Sequence, residues 1–333
     1  MSEVIRYASF KEEQEYNEAP DTSSVDFNID IASATLDTPT DTEIEVPTGL
    51  GRSINRTRPG FYSPSGNVVY PFDVNTIIKL LKWTLGESRE TTMEHLENEV
   101  LTEIWVTNNK ILPSFLTAIG KDLFEHIFTG CVMESLELQV EDGVAQATAN
   151  INAAKDHIGN IKNITSEDLP VEYPIAFHEV FVAKGFNEIN ADVNTLTVNF
   201  ENGTDPDAGR GMGSRHPFRI IANTSTITIS CDLKFKNLEH LNDFYGSEYG
   251  PSPEGSNDFP LIIGLCGGEY GFLDLYFPSV KFTAVPIQPS GQDEIIQSVS
   301  MRAFPKGVML HDNTPVVTPI LVSARSIKSG GEE

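Results

Sequence analysis

Strict alternation of apolar and polar residues over 226–235 is the feature that most constrains the fold. Five apolar residues occupy every second position, with Thr, Ser, Asp and Lys between them: Ile227, Ile229, Cys231, Leu233 and Phe235. A period of two is typical of a strand with one face in a core and the other in solvent. Similar patterns occur at 25–31, 43–46, 136–149 and 196–200, and Asp142-Gly143 predicts a hairpin turn. The chain is therefore predicted to be mainly β.

Two segments have helical spacing instead. Apolar residues recur on one face over 74–85, after the N-cap residue Asp73 and before Gly86. A shorter helix is predicted over 238–245, capped by Asn237 and ended by Gly246. The 48–60 stretch is rich in Gly and Arg and predicts a long loop, and residues 88–99 predict an acidic linker.

The order of these features repeats along the chain. In each half a Gly/Arg-rich loop is followed by a strand, a cap residue, a helix and a terminating glycine. Gly86 and Gly246 lie 160 residues apart, and Phe128 and Phe277, which open later strand pairs, lie 149 apart. This order predicts a tandem duplication of one domain of about 160 residues, which is a normal size for a domain. We expect a flexible N-terminal arm at 1–25, domains at 26–165 and 166–325, and a disordered C-terminus at 326–333.

Composition limits the possible partners. Across 333 residues, 48 acidic residues oppose 23 basic ones, for a net charge of −25. This argues against a protein that grips nucleic acid, because such binding depends on Lys and Arg contacts to phosphates. The negative net charge remains compatible with a surface past which DNA slides without binding. No segment is apolar enough to predict a membrane helix, and the first residues lack the apolar core of a signal peptide, so we expect production in a cytosol.

No arrangement of residues predicts catalysis, a metal or a cofactor. The seven histidines are scattered, and the three cysteines form no C-x-x-C motif. The glycine-rich run at 209–215 lacks the Gly-Lys-Ser/Thr that a phosphate-binding loop needs. A catalytic triad assembled in space cannot be recognised from the sequence. Cys231 lies inside an alternating strand pattern, so a buried thiol is the better interpretation of it. We therefore predict a protein that is not an enzyme.

Positive charge is concentrated in two loops, which makes their arginines candidates for inter-subunit contacts. The candidates are Arg52, Arg56, Arg58, Arg210 and Arg215. Basic loops on an acidic body favour electrostatic contact with a neighbouring copy, and the alternative is an ordinary solvated loop.

Three segments resemble the tail tube proteins of long-tailed bacteriophages. They are the 51–86 stretch with its Ile77-Ile-Lys-Leu-Leu-Lys-Trp-Thr-Leu-Gly helix, the 111–143 stretch with Phe128-Thr-Gly-Cys-Val, and the 176–235 stretch. Together with intervening residues the resemblance covers most of 40–305, in pattern and order. It implies a mainly β fold of two tandem tail-tube-type sandwich or barrel domains, each flanked by a helix. The acidic 87–100 segment departs from the family pattern and is predicted to be an insertion on the outer surface.

The resemblance also implies a function and partners. Tail tube proteins are structural virion proteins that form stacked rings, through whose lumen double-stranded DNA leaves the capsid without specific binding. We expect self-assembly, contacts with other tail proteins, no membrane, and location in the virion tail after assembly in the host cytoplasm. Single-domain members form six-membered rings, so a duplicated chain predicts three chains with pseudo-sixfold symmetry. The net charge predicts an acidic bore, and the N-terminal arm is expected to order on a neighbouring ring.

Two alternatives stay open at this point. One is another β-rich virion component, such as a tail terminator or a capsid decoration protein. The other is a carbohydrate-binding β protein, which would need exposed aromatic residues in a cleft, whereas the chain has only Trp83 and Trp105.

Overall fold

The structure is a computed structural model, and it is mainly β, as predicted. It describes residues 6–18, 21–39, 43–45, 57–92, 99–141, 143–162, 173–185, 187–189, 193–234, 236, 238–248, 250–253, 255–268, 271–286 and 296–327.

The elements of the first half are β1 (Tyr7–Glu12), β2 (Phe27–Asp30), β3 (Ser33–Ala34), β4 (Glu43–Glu45), β5 (Thr57–Pro59), β6 (Ser65–Pro71), α1 (Val74–Leu85), β7 (Gly86–Thr92), β8 (Glu99–Val106), β9 (Phe115–Lys121), β10 (Phe124–Val140), β11 (Gln146–Asn152) and β12 (Lys155–Asn160). Those of the second half are β13 (Val180–Lys184), β14 (Asn187–Glu188), β15 (Val193–Glu201), β16 (Thr226–Lys234), α2 (Glu239–Tyr245), β17 (Phe259–Cys266), β18 (Gly271–Ala284), β19 (Ile296–Ala303), β20 (Lys306–Met309), β21 (Pro315–Thr318) and β22 (Leu321–Ile327).

One antiparallel sheet runs through both halves. In the described residues its strands pair in the order β3, β6, β11, β10, β15, β16, β19 and β18. The long strands β10 and β18 also pair with other strands at their N-terminal ends, β10 with β9 and β12, and β18 with β17 and β22. The linked sheets wrap around a common interior in a barrel-like arrangement.

The two long strands bend at matching irregularities. The register of β10 with β9 shifts between Phe128 and Cys131, and that of β18 with β17 shifts between Phe277 and Val280. A second shift follows in each strand, against β11 in the first half and against β19 in the second. Bulges of this kind bend a strand, so each long strand contributes to two sheets.

The helix predicted over 74–85 is confirmed at both ends. The Asp73 side chain accepts a hydrogen bond from the Thr76 backbone N–H, and Thr76 completes a capping box. Gly86 adopts φ 91°, a left-handed conformation that favours glycine and ends the helix. The second helix begins at Glu239, one residue later than predicted, and Gly246 follows it at φ 69°. The predicted cap Asn237 lies outside the described residues.

The acidic segment after α1 is not a linker through its whole length. β7 and β8 form a hairpin, and β8 pairs along β22 of the second half. Sequence patterning missed β7 because it is an outermost strand in which residues 87–90 are exposed on both faces. Such a strand takes its backbone partners from β8 and needs no alternating pattern of its own.

The prediction of a loose arm at 1–25 is wrong for residues 7–12. These form β1, which pairs with β2 and β9. Tyr7 and Phe10 are buried, and Phe10 stacks on Phe27 with ring centroids 5.1 Å apart. Aromatic burial outweighs the acidic composition that predicted a solvated arm.

Two other segments also differ from expectation. Thr57–Pro59 pairs with Glu43–Glu45, so the end of the predicted 48–60 loop is a short exposed strand. β22 continues to Ile327, inside the segment predicted as a disordered C-terminus, and 328–333 lie outside the described residues.

Buried side chains from both halves form one large hydrophobic cluster. Phe10, Phe72 and Phe128 of the first half belong to the same cluster as Phe200 and Phe277 of the second. Cys231 is buried as predicted, and burial raises the pKa of its thiol to about 12; Cys131 is also buried, and Cys266 is exposed. Among the described residues, no helix combines the length and apolar character needed to cross a bilayer.

Candidate assembly surface

The two halves are joined by direct pairing of β10 with β15. The pairs run from Ser135 opposite Glu201 to Val140 opposite Leu196. Leu136 and Leu138 on β10 are buried, as are Val198 and Phe200 opposite them. This half-to-half joint therefore combines a main-chain ladder with apolar cross-strand pairs.

One buried side chain, Asn202, reinforces the joint. It follows β15, and its Nδ2 donates to the carbonyl oxygens of Thr84 at 2.9 Å and Met133 at 3.2 Å. Its backbone N–H donates to the Glu134 carbonyl oxygen at 2.8 Å. Asn202-Gly203 is a dipeptide typical of a turn, and no local pattern shows that such a residue reaches a distant helix end.

The two helices differ in how far they are covered. Nine of the twelve residues of α1 are buried, and the helix packs against β10 as well as β8 and β22. None of the α2 residues is fully buried. Leu241 and Phe244 are partly buried against the main core, and Leu238 is 54% exposed.

The loop between β15 and β16 also lies against the first half. The Ala222 N–H donates to the Lys110 carbonyl oxygen at 2.9 Å. Ile220 and Ala222 pack with Leu112 and Val132 in a small buried cluster. No local pattern in the sequence predicts this contact, because its residues lie more than 80 positions apart.

Two of the five candidate arginines hold this loop to residues 60–62, in the segment that leads into β6. The Arg215 Nε donates to the Gly60 carbonyl oxygen at 3.0 Å. Arg210 lies over the Phe61 ring at 4.1 Å and pairs with Asp207 at 2.9 Å. Arg210 and Arg215 therefore both have contacts within their own chain.

The other three candidates belong to the first basic loop. Arg58 is exposed on β5, whereas Arg52 and Arg56 lie outside the described residues. The structure places the 205–219 loop against residues 60–62, which directly follow the first basic loop.

A cluster of charged groups fixes the chain just after β3. His126 is 6% exposed, and its Nε2 lies 3.0 Å from Oδ2 of Asp156. The Thr38 hydroxyl donates to the same Asp156 oxygen at 2.6 Å, and Asp37 lies 3.3 Å from Lys121 Nζ. Burial favours a raised pKa for Asp156, but hydrogen bonds from Thr38 and His126 outweigh it and lower that pKa.

A family comparison adds to this geometry. A model of the family described as phage tail tube protein matches residues 6–303, nearly the whole chain.

The chain belongs to the phage tail tube protein family.

Membership makes this a structural protein of the viral tail, and it confirms the resemblance found in the sequence. The match begins at residue 6, where the described chain leads into β1. No curated protein matches the chain. In the part of the chain that the structure describes, no three His, Cys, Asp or Glu side chains group as metal ligands.

The solvent-facing side of the tail tube protein's eight-stranded sheet is polar and carries both acidic and basic side chains: Glu137, Glu201 and Asp232 with Lys234, Lys281 and Arg302. Across neighbouring strands, Thr148, Glu137, Asn199, Thr228 and Arg302 lie opposite one another in one row. Hydroxyl and amide side chains fill most other positions of this face, including Ser135, Gln139, Asn150, Thr197, Ser230, Ser298 and Ser300. The acidic excess of the chain is therefore not concentrated on this face.

Proposed function

We propose that the chain assembles head to tail into rings that stack into the tail tube, the conduit for genome ejection. The observation that carries this proposal is the eight-stranded sheet, in which β3, β6, β11 and β10 are followed by β15, β16, β19 and β18 in the same pairing order. Each group of four contains the strand before its helix and the long bent strand after it. We take these two groups of four strands to be two copies of one unit.

The two ends of this sheet are open edges in the described residues. At one end, the Thr35 and Asp37 N–H groups donate to β6, so the main-chain groups of Ala34 and Leu36 point away from it. At the other end, β17 and β19 both pair with Val280, but over 281–284 only β19 does. An open strand edge favours pairing with another chain.

The joint between β10 and β15 is the template for pairing these edges. β15 pairs with β16 as β3 pairs with β6, and β10 bends as β18 does. On this template, the end of β18 in one chain pairs with the β3 edge of the next. Such a contact joins two different surfaces, and repetition closes a ring when the rotation allows it.

The count of chains follows from the repeat. Two units in each chain and six units in a ring give three chains, with pseudo-sixfold symmetry. The tandem units extend our predicted domains at 26–165 and 166–325, except that β1 places the start of the first unit near residue 6. β1 pairs with β9 as β13 pairs with β17, which supports that boundary.

The lining of the bore follows from which face of the sheet is free. The apolar face lies against the core and the helices, so a closed ring turns the polar face inward. The proposed bore is then lined mainly by hydroxyl and amide groups, in contrast to the acidic bore that the net charge predicts. Double-stranded DNA would pass such a wall without a cationic band to hold it.

The arginines have separate roles in this proposal. Arg210 and Arg215 hold their loop within the chain, and exposed Arg58, with Arg52 and Arg56, contacts a neighbouring copy. Charge reversal at Arg58 is then expected to weaken polymerisation and leave the monomer folded. The protein acts without catalysis, metal or cofactor, and it meets other tail proteins where the tube ends.

Electron microscopy of the purified protein tests the proposal. Negatively stained samples should contain rings or tubes, and averaged cross-sections should show threefold symmetry with six similar lobes. Six identical chains in a ring would contradict the chain count. A protein that stays monomeric at all concentrations and salt conditions would contradict ring assembly itself.

A further inference from the structure

The two helices occupy corresponding places but differ in how much of their surface is covered. Along the chain, α1 follows β6 and precedes the β9–β10 hairpin, and α2 follows β16 and precedes the β17–β18 hairpin. Nine residues of α1 are buried and none of α2 is. Leu238, which caps the start of α2, is 54% exposed.

The extra covering of α1 comes from the other half of the chain. Besides β7, β8 and β10 in its own half, α1 packs against β22 and β18 of the second half. In β22, Val322 pairs with Leu275 of β18 and is fully buried. The second half thus provides an apolar surface for the helix of the first half.

The first half has a surface that corresponds to β22 but is uncovered. β12 pairs with the N-terminal end of β10 as β22 pairs with that of β18. Counting from the matched residues Phe128 and Phe277, Ile158 of β12 corresponds to Val322 of β22. Ile158 is 77% exposed, whereas Val322 is 0% exposed. In the described residues β12 has no second strand partner, whereas β22 has β8.

We infer that these two uncovered surfaces bind each other between chains. The partner is a second copy of this protein, whose α2 lies over β12 of the next chain around Leu238 and Ile158. The contact repeats between chains the packing of α1 on β22 within the chain. It rests on the proposed ring and adds a second contact outside the strand ladder.

The chemistry of both surfaces suits this contact. α2 presents Leu238, with Leu241 and Phe244 partly buried behind it, and β12 presents Ile158. Burying aliphatic side chains of this size against each other contributes about 1.5–3 kcal/mol, which is about tenfold or more in an association constant.

Site-specific photo-crosslinking tests the partner directly. A benzophenone amino acid replaces Ile158, and assembled protein is irradiated and digested. Mass spectrometry should find Ile158 joined to α2 or its flanking residues in a second chain. Crosslinks to any other segment, or none in assembled rings, would overturn the inference while leaving the ring intact.

Assembly measurements give an independent test. Ile158→Asp and Leu238→Asp should each raise the protein concentration needed for assembly about tenfold, and Ile158→Val should change it less than twofold. Because both side chains are mostly exposed, the thermal stability of the monomer should stay unchanged. Normal assembly of Ile158→Asp and Leu238→Asp contradicts this contact alone. A wild-type chain that never assembles contradicts the ring proposal together with it.

Discussion

At the residue scale, the joint between the halves depends on polar side chains whose partners are distant in sequence. Asn202 is 4% exposed and satisfies two carbonyl oxygens, one at the end of α1 and one on β10. Buried carbonyl groups need such partners because they have lost their contact with water. A single amide group therefore connects three elements.

Replacing Asn202 by Ala should lower the free energy of unfolding by about 2–3 kcal/mol, because two buried carbonyl oxygens lose their donor. Asn223 is a matched control, since its Nδ2 also donates to a carbonyl oxygen, that of Gly203 at 2.9 Å, but in an exposed setting. Asn223→Ala should cost less than about 1 kcal/mol. Urea unfolding of both variants measures the difference in the free energy of unfolding. Equal losses would show that the buried hydrogen bonds of Asn202 contribute no more than the exposed one of Asn223.

Asp156 makes stability depend on acid pH in a defined direction. Its pKa in the folded protein is lower than the ordinary value of an aspartate side chain. The ionised carboxylate therefore adds stability that is complete above that value and is lost as pH falls through the lower folded pKa. Asp37 has a pKa lowered in the same direction, where burial is opposed by the Thr38 N–H and Lys121.

Asp156→Asn should therefore be less stable than the wild type near pH 6, with the gap narrowing below about pH 4. Urea unfolding at several pH values between 6 and 2 measures the gap. A constant gap over this range would mean that ionisation of Asp156 does not contribute.

At the scale of elements, the local sequence was sufficient to predict an element that has its own caps or its own alternating pattern. The α1 boundaries follow from Asp73 and Gly86, and β16 follows from its alternating residues. β7 and β1 could not be predicted in this way. β7 exists because β8 supplies its backbone partners, and β1 is ordered by aromatic contacts with residues far along the chain.

The candidate site was predictable only in part, for the same reason. Concentrated positive charge identified Arg210 and Arg215, but their partners Phe61 and Gly60 lie some 150 residues away. Nothing in the local sequence at Asn202 or Ile158 distinguishes them from ordinary turn or strand residues. Their importance arises from the pairing of β10 with β15 and from the missing cover over β12.

Replacing Gly86 by Ala tests how closely the C-terminal end of α1 packs against neighbouring residues. A Cβ added there would lie 2.6 Å from Thr107 Cγ2, and the residue has φ 91°. Gly213 has nearly the same φ, 89°, with open space around it. Gly213→Ala should cost about 1 kcal/mol for the left-handed backbone alone, and Gly86→Ala at least about 1 kcal/mol more. Thermal and urea unfolding compare the two, and equal costs would show that Thr107 moves aside freely.

At the scale of the whole molecule, the halves share both a sheet and a core. β8 pairs with β22, α1 packs on both halves, and one hydrophobic cluster extends from Phe10 to Ala324. A boundary cut between the two predicted domains would expose apolar surface on each side. The two halves are therefore expected to behave as one folding unit.

Thermal unfolding of the full chain should show a single transition with equal calorimetric and van't Hoff enthalpies. Intrinsic fluorescence reports on the first half alone, through Trp83 and Trp105, and should give the same midpoint as circular dichroism. Two separated transitions would mean that the halves unfold independently despite their common core.

β10 and β15 pair within one polypeptide, whereas the proposed pairing of β18 with β3 joins separate chains. Strands held in one polypeptide meet at a high effective concentration, so even a weak pairing stays closed. A pairing between separate molecules must instead overcome the loss of free translation and rotation each time it forms. On the proposed ring, sequence change is therefore tolerated more readily at the tethered joint than at its untethered counterpart.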